Sequence, residues 1–448
     1  MGRDTEQIAA LLAKAQQPSA DALRLHPLYQ GKIAVTAKCP IRGMDDFAVW
    51  YTPGVAAPCR EIAQQPERVF AHTNKGNLIA VVSDGTRVLG LGDIGPHAAL
   101  PVMEGKALLF KYLGGVDAVP LCLGTKNPEE IIQMCKWIAP TFGAINLEDI
   151  ASPKCFYILD RLRKELDIPV WHDDQQGTAA VVLAALINAL KVTGRNKDTA
   201  RLTLIGVGAA NIAVARVLIA AGFPAGHLLM VDSTGILHRG RSDRHASEKA
   251  VKWHLCTVTN HEQRTGDIAD ALRGADVCIA LSRSGPGTIH PEWITTMARD
   301  AIVFACANPV PEIWPWEAQE AGAKIVATGR SDFPNQVNNA LCFPGIFRGV
   351  LDVGARTITD EMCIAVAEEL ARCAEEQGLA EDHILPRMDD AEVVPREAVA
   401  VGLKAIAQGV ARNILTAAEL RNRAELLVSR AQRETAVLMQ AGGIAPAE

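Results

Sequence analysis

The chain has 448 residues, 49% of them hydrophobic, and its 45 Lys+Arg against 51 Asp+Glu give a formal charge of -6. At roughly 100–200 residues per domain this length holds two or three domains, and scattered basic residues exclude a nucleic-acid or anionic-membrane surface. The composition excludes disorder, collagen and a disulfide scaffold, and no apolar run approaches the roughly 18–20 residues of a bilayer span.

The first residues, interrupted by Asp4, Glu6 and Lys14, lack the apolar centre of a signal peptide. Residues 5–16 read as an amphipathic helix. From about residue 77, short aliphatic runs alternate with helical segments, the pattern of βαβ units. Leu78–Ser83, Ala118–Leu123, Ala144–Leu147 and Ile168–His172 are expected strands, with helices at 105–113, 128–138 and 153–166. Thr178–Leu190 reads as a buried helix stopped near Gly194.

A second series follows. Leu202–Ile205, Leu228–Val231, Val277–Leu281, Ile302–Ala305 and Lys324–Ala327 are expected strands, with a helix at 209–222 after the first. This alternation predicts an α/β fold with a doubly wound, mostly parallel sheet. Beyond about residue 385 the pattern turns helical. Thr416-Ala-Ala-Glu419 is a capping box ahead of apolar positions 420, 424, 427, 431 and 438. That tail is expected to pack on the body or across a subunit interface.

Eleven cysteines, an odd number with no C-x-x-C pair, fit neither a disulfide framework nor a zinc site. They read as small buried hydrophobes in a soluble, cytoplasmic-type protein.

Two glycine motifs compete for a dinucleotide. Gly90-Leu-Gly92-Asp-Ile-Gly95 matches G-x-G-x-x-G letter for letter, whereas Gly206-Val-Gly208-Ala-Ala-Asn211 has Asn in the third place. The second directly follows an aliphatic strand and opens a helix whose N–H groups would meet a pyrophosphate. Asp232 then ends the next strand, placed to bond a ribose hydroxyl. After Gly95, Pro96 and Pro101 argue against a helix opening there, so the exact match reads as a tight turn. Asn211 is expected to loosen the packing of helix on strand.

The sharpest chemical feature is a pair of acidic doublets, Glu148-Asp149 and Asp173-Asp174, each ending an apolar strand with one helix between. In a right-handed βαβ unit both doublets reach the same carboxyl edge, where open α/β sheets bind ligands. Convergent carboxylates there call for a cation, and all-oxygen ligands suit Mg²⁺ or Mn²⁺. Taken alone, Lys106 reads as a solvated helix side chain, Tyr51 as a packing residue, Arg87 as a turn residue, and Asn308 and Asn339 as loop stabilisers.

Together these segments resemble the malic enzymes, in their short bacterial form, over roughly residues 25–380. The likeness rests on Tyr51-Thr-Pro-Gly-Val-Ala, the run from Ser83 to Gly95, Met103-Glu-Gly-Lys106, Asn146-Leu-Glu-Asp-Ile150, His172-Asp-Asp-Gln-Gln-Gly-Thr178, and the Asn308 and Asn339 segments. The resemblance implies a smaller N-terminal α/β domain (1–160), a Rossmann-like NAD(P)-binding domain (161–385) and a helical C-terminal extension (386–448). It implies metal-dependent oxidative decarboxylation of L-malate to pyruvate and CO₂, and a homodimer.

Carried over to this chain, the family pattern makes Tyr51 the general acid and Lys106 the general base, with Asp173 beside the base. Glu148, Asp149 and Asp174 match the metal ligands. Arg87, Lys106, Asn308 and Asn339 match positions holding substrate, the two asparagines also the nicotinamide. Gly206, Val207, Gly208, Ala209 and Ala210 match the dinucleotide loop, with Asp232 beyond it. Lys106 is expected to have a pKa lowered by cationic and desolvated surroundings. A lyase on the same scaffold, malolactic or oxaloacetate-decarboxylating, is the alternative; a cofactor sensor would not need Tyr51, Lys106 and the acids. Asp232 leans the cofactor towards NAD, while Arg239, Arg241 and Arg244 could accept the 2′-phosphate of NADP.

Overall fold

The structure, a computed structural model, describes residues 5–245 and 250–447. Two sheets carry the fold. The first is parallel, in the order β2-β1-β3-β4, built from β1 (Leu78–Ser83), β2 (Asp117–Cys122), β3 (Ala144–Leu147) and β4 (Val170–His172). The second has the order β10-β9-β8-β5-β6-β7. Its strands are β5 (Leu202–Ile205), β6 (Leu228–Asp232), β7 (Gly235–Ile236), β8 (Val277–Ala280), β9 (Ala301–Ala305) and β10 (Ala323–Thr328). All pair in parallel except β7, a two-residue return on β6.

The near-continuous apolar strands follow from burial on both faces. On β1, Ile79 and Val81 enter one core while Ala80 and Val82 enter another beneath helices Pro128–Ile138 and Lys154–Glu165. On β8, Val277 and Ile279 point one way and Cys278 and Ala280 the other. The larger core runs through both sheets. Its link is helix Phe343–Asp352, whose Phe343 and Phe347 pack against Phe110, tilted and edge-on, with ring centroids at 4.5 and 4.9 Å. Helix Phe343–Asp352 thus returns from the second sheet to the first. The domain division expected at residue 160 falls inside helix Lys154–Glu165, and β4 beyond it joins the first sheet.

Several elements differ from expectation. A helix does open at Gly95 and runs to Gly114. Pro96 sits in its first turn, where a missing N–H costs nothing, and Pro101 is accommodated further along. The tight turn lies just ahead of the expected 90–95, over Val88–Gly92, where Leu91 N–H bonds Val88 O and Val88 N–H bonds Gly92 O, both at 2.9 Å. The N-terminal helix runs from Thr5 to Tyr29. Helical structure sets in before residue 385, with Phe343–Asp352 and Asp360–Gln377. Asp173–Val192 forms one helical stretch of 20 residues, long and apolar enough to cross a membrane by composition. It is instead a core helix, buried from Ala179 to Leu186.

The C-terminal helix Ala417–Gln440 is capped as expected, with Thr416 N–H on Glu419 at 2.8 Å. Its Leu420, Ala424 and Ala431 are buried, whereas Leu438 is exposed. It returns to the first sheet's helix Gly95–Gly114, where Lys111 pairs with Glu434 at 3.2 Å. The cysteines are all free, and all but Cys39, Cys59 and Cys122 are buried.

Candidate active site

The register Leu147↔His172 makes β3 and β4 direct neighbours, so the two acidic doublets leave the sheet side by side. Glu148 follows Leu147 on β3. Asp149 turns out of the strand at φ +54°, a left-handed conformation that Asp tolerates. Asp174 lies in a π-helical turn, Asp173–Gly177, that opens the core helix; such turns recur at functional sites. Oxygens of Glu148, Asp149 and Asp174 all lie within 4.8 Å of one another.

Their electrostatics are costly. Burial and the neighbouring acids raise Glu148 well above the usual carboxylate range. Burial, then Asp174, pushes Asp149 up to about 8. Burial, then Asp173, pushes Asp174 up to about 6. Some bonds fix the group: Asn146 Nδ2 donates to Glu148 at 2.8 Å, and Asp149 N–H to Asp174 at 3.0 Å. Asp149 Oδ2 is buried without a hydrogen-bond partner. Three hard oxygen donors that repel one another, one of them unpartnered, fit a divalent cation of the Mg²⁺ or Mn²⁺ kind.

Lys106, on helix Gly95–Gly114, faces this cluster. Its ammonium lies 2.5 Å from Asp173 and 3.1 Å from Glu148, with the Phe343 ring centroid at 4.3 Å. The surroundings are anionic, contrary to the expected cationic setting. Burial alone would lower the ammonium, but Asp173 and Glu148 outweigh it and hold Lys106 above its usual range. Asp173 is itself fully held, accepting from Lys106, Asn339 and, at 3.0 Å, Trp171 Nε1.

The cluster forms one wall of a cleft of about 410 Å³ that also reaches Arg87, Asn308, Asn339, Gly208, Ala209 and Ala210. Its opposite wall is the turn from β5 into helix Ala209–Ala220. Gly206 takes φ +94° there, and a Cβ would meet Leu281 O at 2.7 Å. Asn211 does not loosen this turn. Fully buried, it donates to Ile205 O at 2.8 Å and Gly206 O at 2.9 Å, lashing the helix to the strand end. The N–H groups opening that helix suit a pyrophosphate.

Two family models match in tandem, "Malic enzyme, N-terminal domain" over residues 30–163 and "Malic enzyme, NAD binding domain" over 175–408. The chain belongs to the malic enzyme family. A malic enzyme structure from Entamoeba histolytica superposes with a TM-score of 0.96 at 46% identity, covering 99% of this chain and 93% of that one. The NAD-dependent malic enzyme of Geobacillus stearothermophilus is 50% identical over 382 residues, 85% of this chain and 78% of its own. A bifunctional malic/malolactic enzyme of Bacillus subtilis is 48% identical over 392 residues, 88% of this chain and 94% of its own.

Two residues expected at a malic enzyme site stand apart from the cleft. Tyr51 is 68% exposed. Trp50 Nε1 bonds Pro40 O at 3.1 Å, and nearby Lys38 pairs with Asp117 at the amino end of β2, the edge opposite the acids. Asp232 ends β6 but its carboxylate is engaged by Arg241 and Lys252. Sequence reasoning also missed supporting groups. Trp171 and Phe343 lie in apolar or mixed runs that carry no chemical signal, and Asn146, though it opens one of the motifs, had no role assigned to it. Glu312, fully buried, accepts from Ser282 N–H at 2.8 Å and Ala307 N–H at 3.0 Å, joining two loops of the cleft.

Proposed function

We propose that the chain oxidatively decarboxylates L-malate to pyruvate and CO₂ with reduction of a nicotinamide dinucleotide and the help of Mg²⁺ or Mn²⁺. The observation that carries this reading is Lys106, set 3.1 Å from Glu148 and facing a cleft whose other wall is the glycine turn. In this reading Glu148, Asp149 and Asp174 hold the cation and residues 206–210 the dinucleotide. When bound, the cation polarises the C2 oxygen and the dinucleotide accepts hydride from C2.

Lys106 Nζ removes the C2 hydroxyl proton, and Asp173 takes its share of the resulting charge. For that step Lys106 must first shed a proton, which compensation of the three carboxylates by a cation favours. Arg87 pairs with a substrate carboxylate, and Asn308 and Asn339 orient substrate and nicotinamide. The buried free thiols suit a cytoplasmic setting.

Tyr51 enters from a second copy of the chain. None of the residues from 12 to 74 whose burial is described is buried, yet they carry exposed Met44, Phe47, Val49 and Trp50 around Tyr51. An arm without a core of its own needs a partner to cover it, and in a homodimer Tyr51 would protonate C3 in the neighbouring cleft. Mixing Tyr51→Phe with Lys106→Ala protein, each inactive alone, is then expected to restore activity; no recovery despite subunit exchange means Tyr51 serves its own chain or none.

The direct test is absorbance at 340 nm with malate, Mn²⁺ and either NAD or NADP, with product identification. Pyruvate with reduced cofactor supports the reading. The B. subtilis relative, named as malic/malolactic, favours one second reading: lactate without net reduced cofactor. No turnover of malate or oxaloacetate removes both.

A further inference from the structure

Neighbouring strands β8 and β9 end in register, Ala280 opposite Ala305, and the loops that leave them line the cleft with Ser282, Ser284, Ala307 and Asn308. Glu312, fully buried, joins the two loops. Its Oε1 accepts from Ser282 N–H at 2.8 Å and from the Ser282 hydroxyl at 3.1 Å. Its Oε2 accepts from Ala307 N–H at 3.0 Å. Glu312 forms no ion pair among the described residues, and burial pushes it up to about 7.

This costly acid does what an amide cannot. Both loops present donors, and a carboxylate has an acceptor oxygen for each, whereas glutamine would turn an NH₂ group towards an N–H. Beyond Glu312 the loops bond directly: Ser284 Oγ donates to Val310 O at 3.1 Å and accepts from Val310 N–H at 3.2 Å. The joined loops then meet the first sheet. A Cβ at Gly90, in the turn after β1, would come within 2.5 Å of Asn308 O and 2.7 Å of Ser284 Cβ. Gly90 therefore abuts both loops, and Arg87 of the same stretch lines the cleft beside them. The first glycine of the 90–95 motif thus serves close approach of backbones and not a pyrophosphate.

We infer that Glu312 is a positioning residue for hydride transfer: it holds the loops after β8 and β9 in one arrangement, which sets Asn308 against the Gly90 turn and forms the nicotinamide end of the cleft. Buried behind the loops, it acts through Asn308 and not on the reactants. The inference rests on the reading of Asn308 as a nicotinamide contact, not on the identity of the hydride donor.

The test compares wild type, Glu312→Gln, Asn308→Ala and the double variant at about pH 8, above the value of about 7 at which Glu312 titrates. For Glu312→Gln, titration with NADH and in parallel NADPH, without malate, is expected to give dissociation constants within about threefold of wild type, because the glycine turn is untouched. Emission of the bound reduced nicotinamide is expected to fall towards that of the free dinucleotide. With malate, kcat is expected to drop about a hundredfold while KM for the dinucleotide changes little. The double variant is expected to lose no more than Asn308→Ala alone. Losses that multiply, unchanged emission and kcat, or an affinity that falls in step with kcat overturn the inference. Should Glu312→Gln not fold, Ser282→Ala removes one of the three donors and is expected to show the same split with a smaller drop. Wild-type kcat and emission in Ser282→Ala then overturn it. Lowered emission in Glu312→Gln, with no malate turnover even by wild type, counts instead against the malate reading alone.

Discussion

The Lys106 ammonium meets the Asp173 carboxylate at 2.5 Å, at the wall of the cleft, with Asp173 fully buried and Lys106 9% exposed. Asp173 is the largest of the charges that raise Lys106, with Glu148 next. Asp173→Asn removes that charge while keeping an acceptor oxygen near the ammonium. The Lys106 pKa then falls, so the fraction of free amine at a given pH rises. The acid limb of kcat against pH is expected to move to lower pH, while maximal kcat drops on the order of a hundredfold for want of a charge partner. A limb that stays in place means another group titrates in that step. Lys106→Ala, by contrast, is expected to abolish malate oxidation and leave Mn²⁺ binding largely intact.

The metal ligands can be tested without any turnover. Asp149, raised to about 8, binds a proton in the folded state that the unfolded chain releases near its ordinary value of 3.8. Such an acid stabilises the fold fully below the unfolded pKa. Its contribution is lost as the pH climbs through about 8. Asp149→Asn removes the penalty, and Asn tolerates the φ of +54° at that position. In EDTA the variant is therefore expected to melt higher than wild type at pH 8.5. With Mn²⁺ the order reverses, since only wild type gains the stabilisation that metal binding supplies. Calorimetry with and without Mn²⁺ reads both, and a variant that gains as much from Mn²⁺ as wild type would exclude Asp149 as a ligand.

Both doublets were legible in the sequence because each ends an aliphatic run, and parallel topology then brings them to one edge. The strands were legible for the same reason: buried on both faces, Ile79 to Val82 and Val277 to Ala280 read as unbroken apolar runs. The helix from Gly95 was hidden by Pro96 and Pro101, since prolines signal a break except in a first turn. The roles of Trp171 and Asn146 were not legible, because their bonds to Asp173 and Glu148, each two residues on, depend on how the chain turns as it leaves β4 and β3. Asp232 was visible as an acid at a strand end; that it is clamped depends on Arg241 and Lys252 folding back, which spacing does not encode.

Asn211 occupies the third position of the glycine fingerprint and bonds both Ile205 O and Gly206 O. Asn211→Gly would complete G-x-G-x-x-G and at the same time release those two carbonyls at the strand end. Each lost bond costs about 1 kcal/mol, and glycine adds backbone entropy to a helix of which Asn211 is the third residue. The variant is expected to lose about 2–3 kcal/mol of stability and to raise KM for the dinucleotide while KM for malate holds. Denaturant melts and initial rates decide it. A more stable Asn211→Gly protein would mean the fingerprint glycine is the better fit here.

Arg348 and Asp352, both without solvent exposure, pair one helical turn apart at 2.7 Å on the helix that carries Phe343 against Lys106. Arg348 also donates to Asn77 Oδ1 at 2.6 Å, just ahead of β1, and Asp352 receives Arg423 from the C-terminal helix at 2.8 Å. One buried pair therefore ties the first sheet, the returning helix and the tail. Arg348→Met leaves Asp352 buried with only the half-exposed Arg423, an uncompensated charge expected to cost about 3–5 kcal/mol. Arg348→Met with Asp352→Leu removes both charges and is expected to recover most of that loss, because desolvation no longer needs compensation. Arg423→Ala, at the exposed end, is expected to cost about 1 kcal/mol or less. Urea midpoints for the three variants test this ordering. Equal losses for the single and double core variants would mean that the Asn77 contact, rather than the ion pair, holds the sheet to the helix.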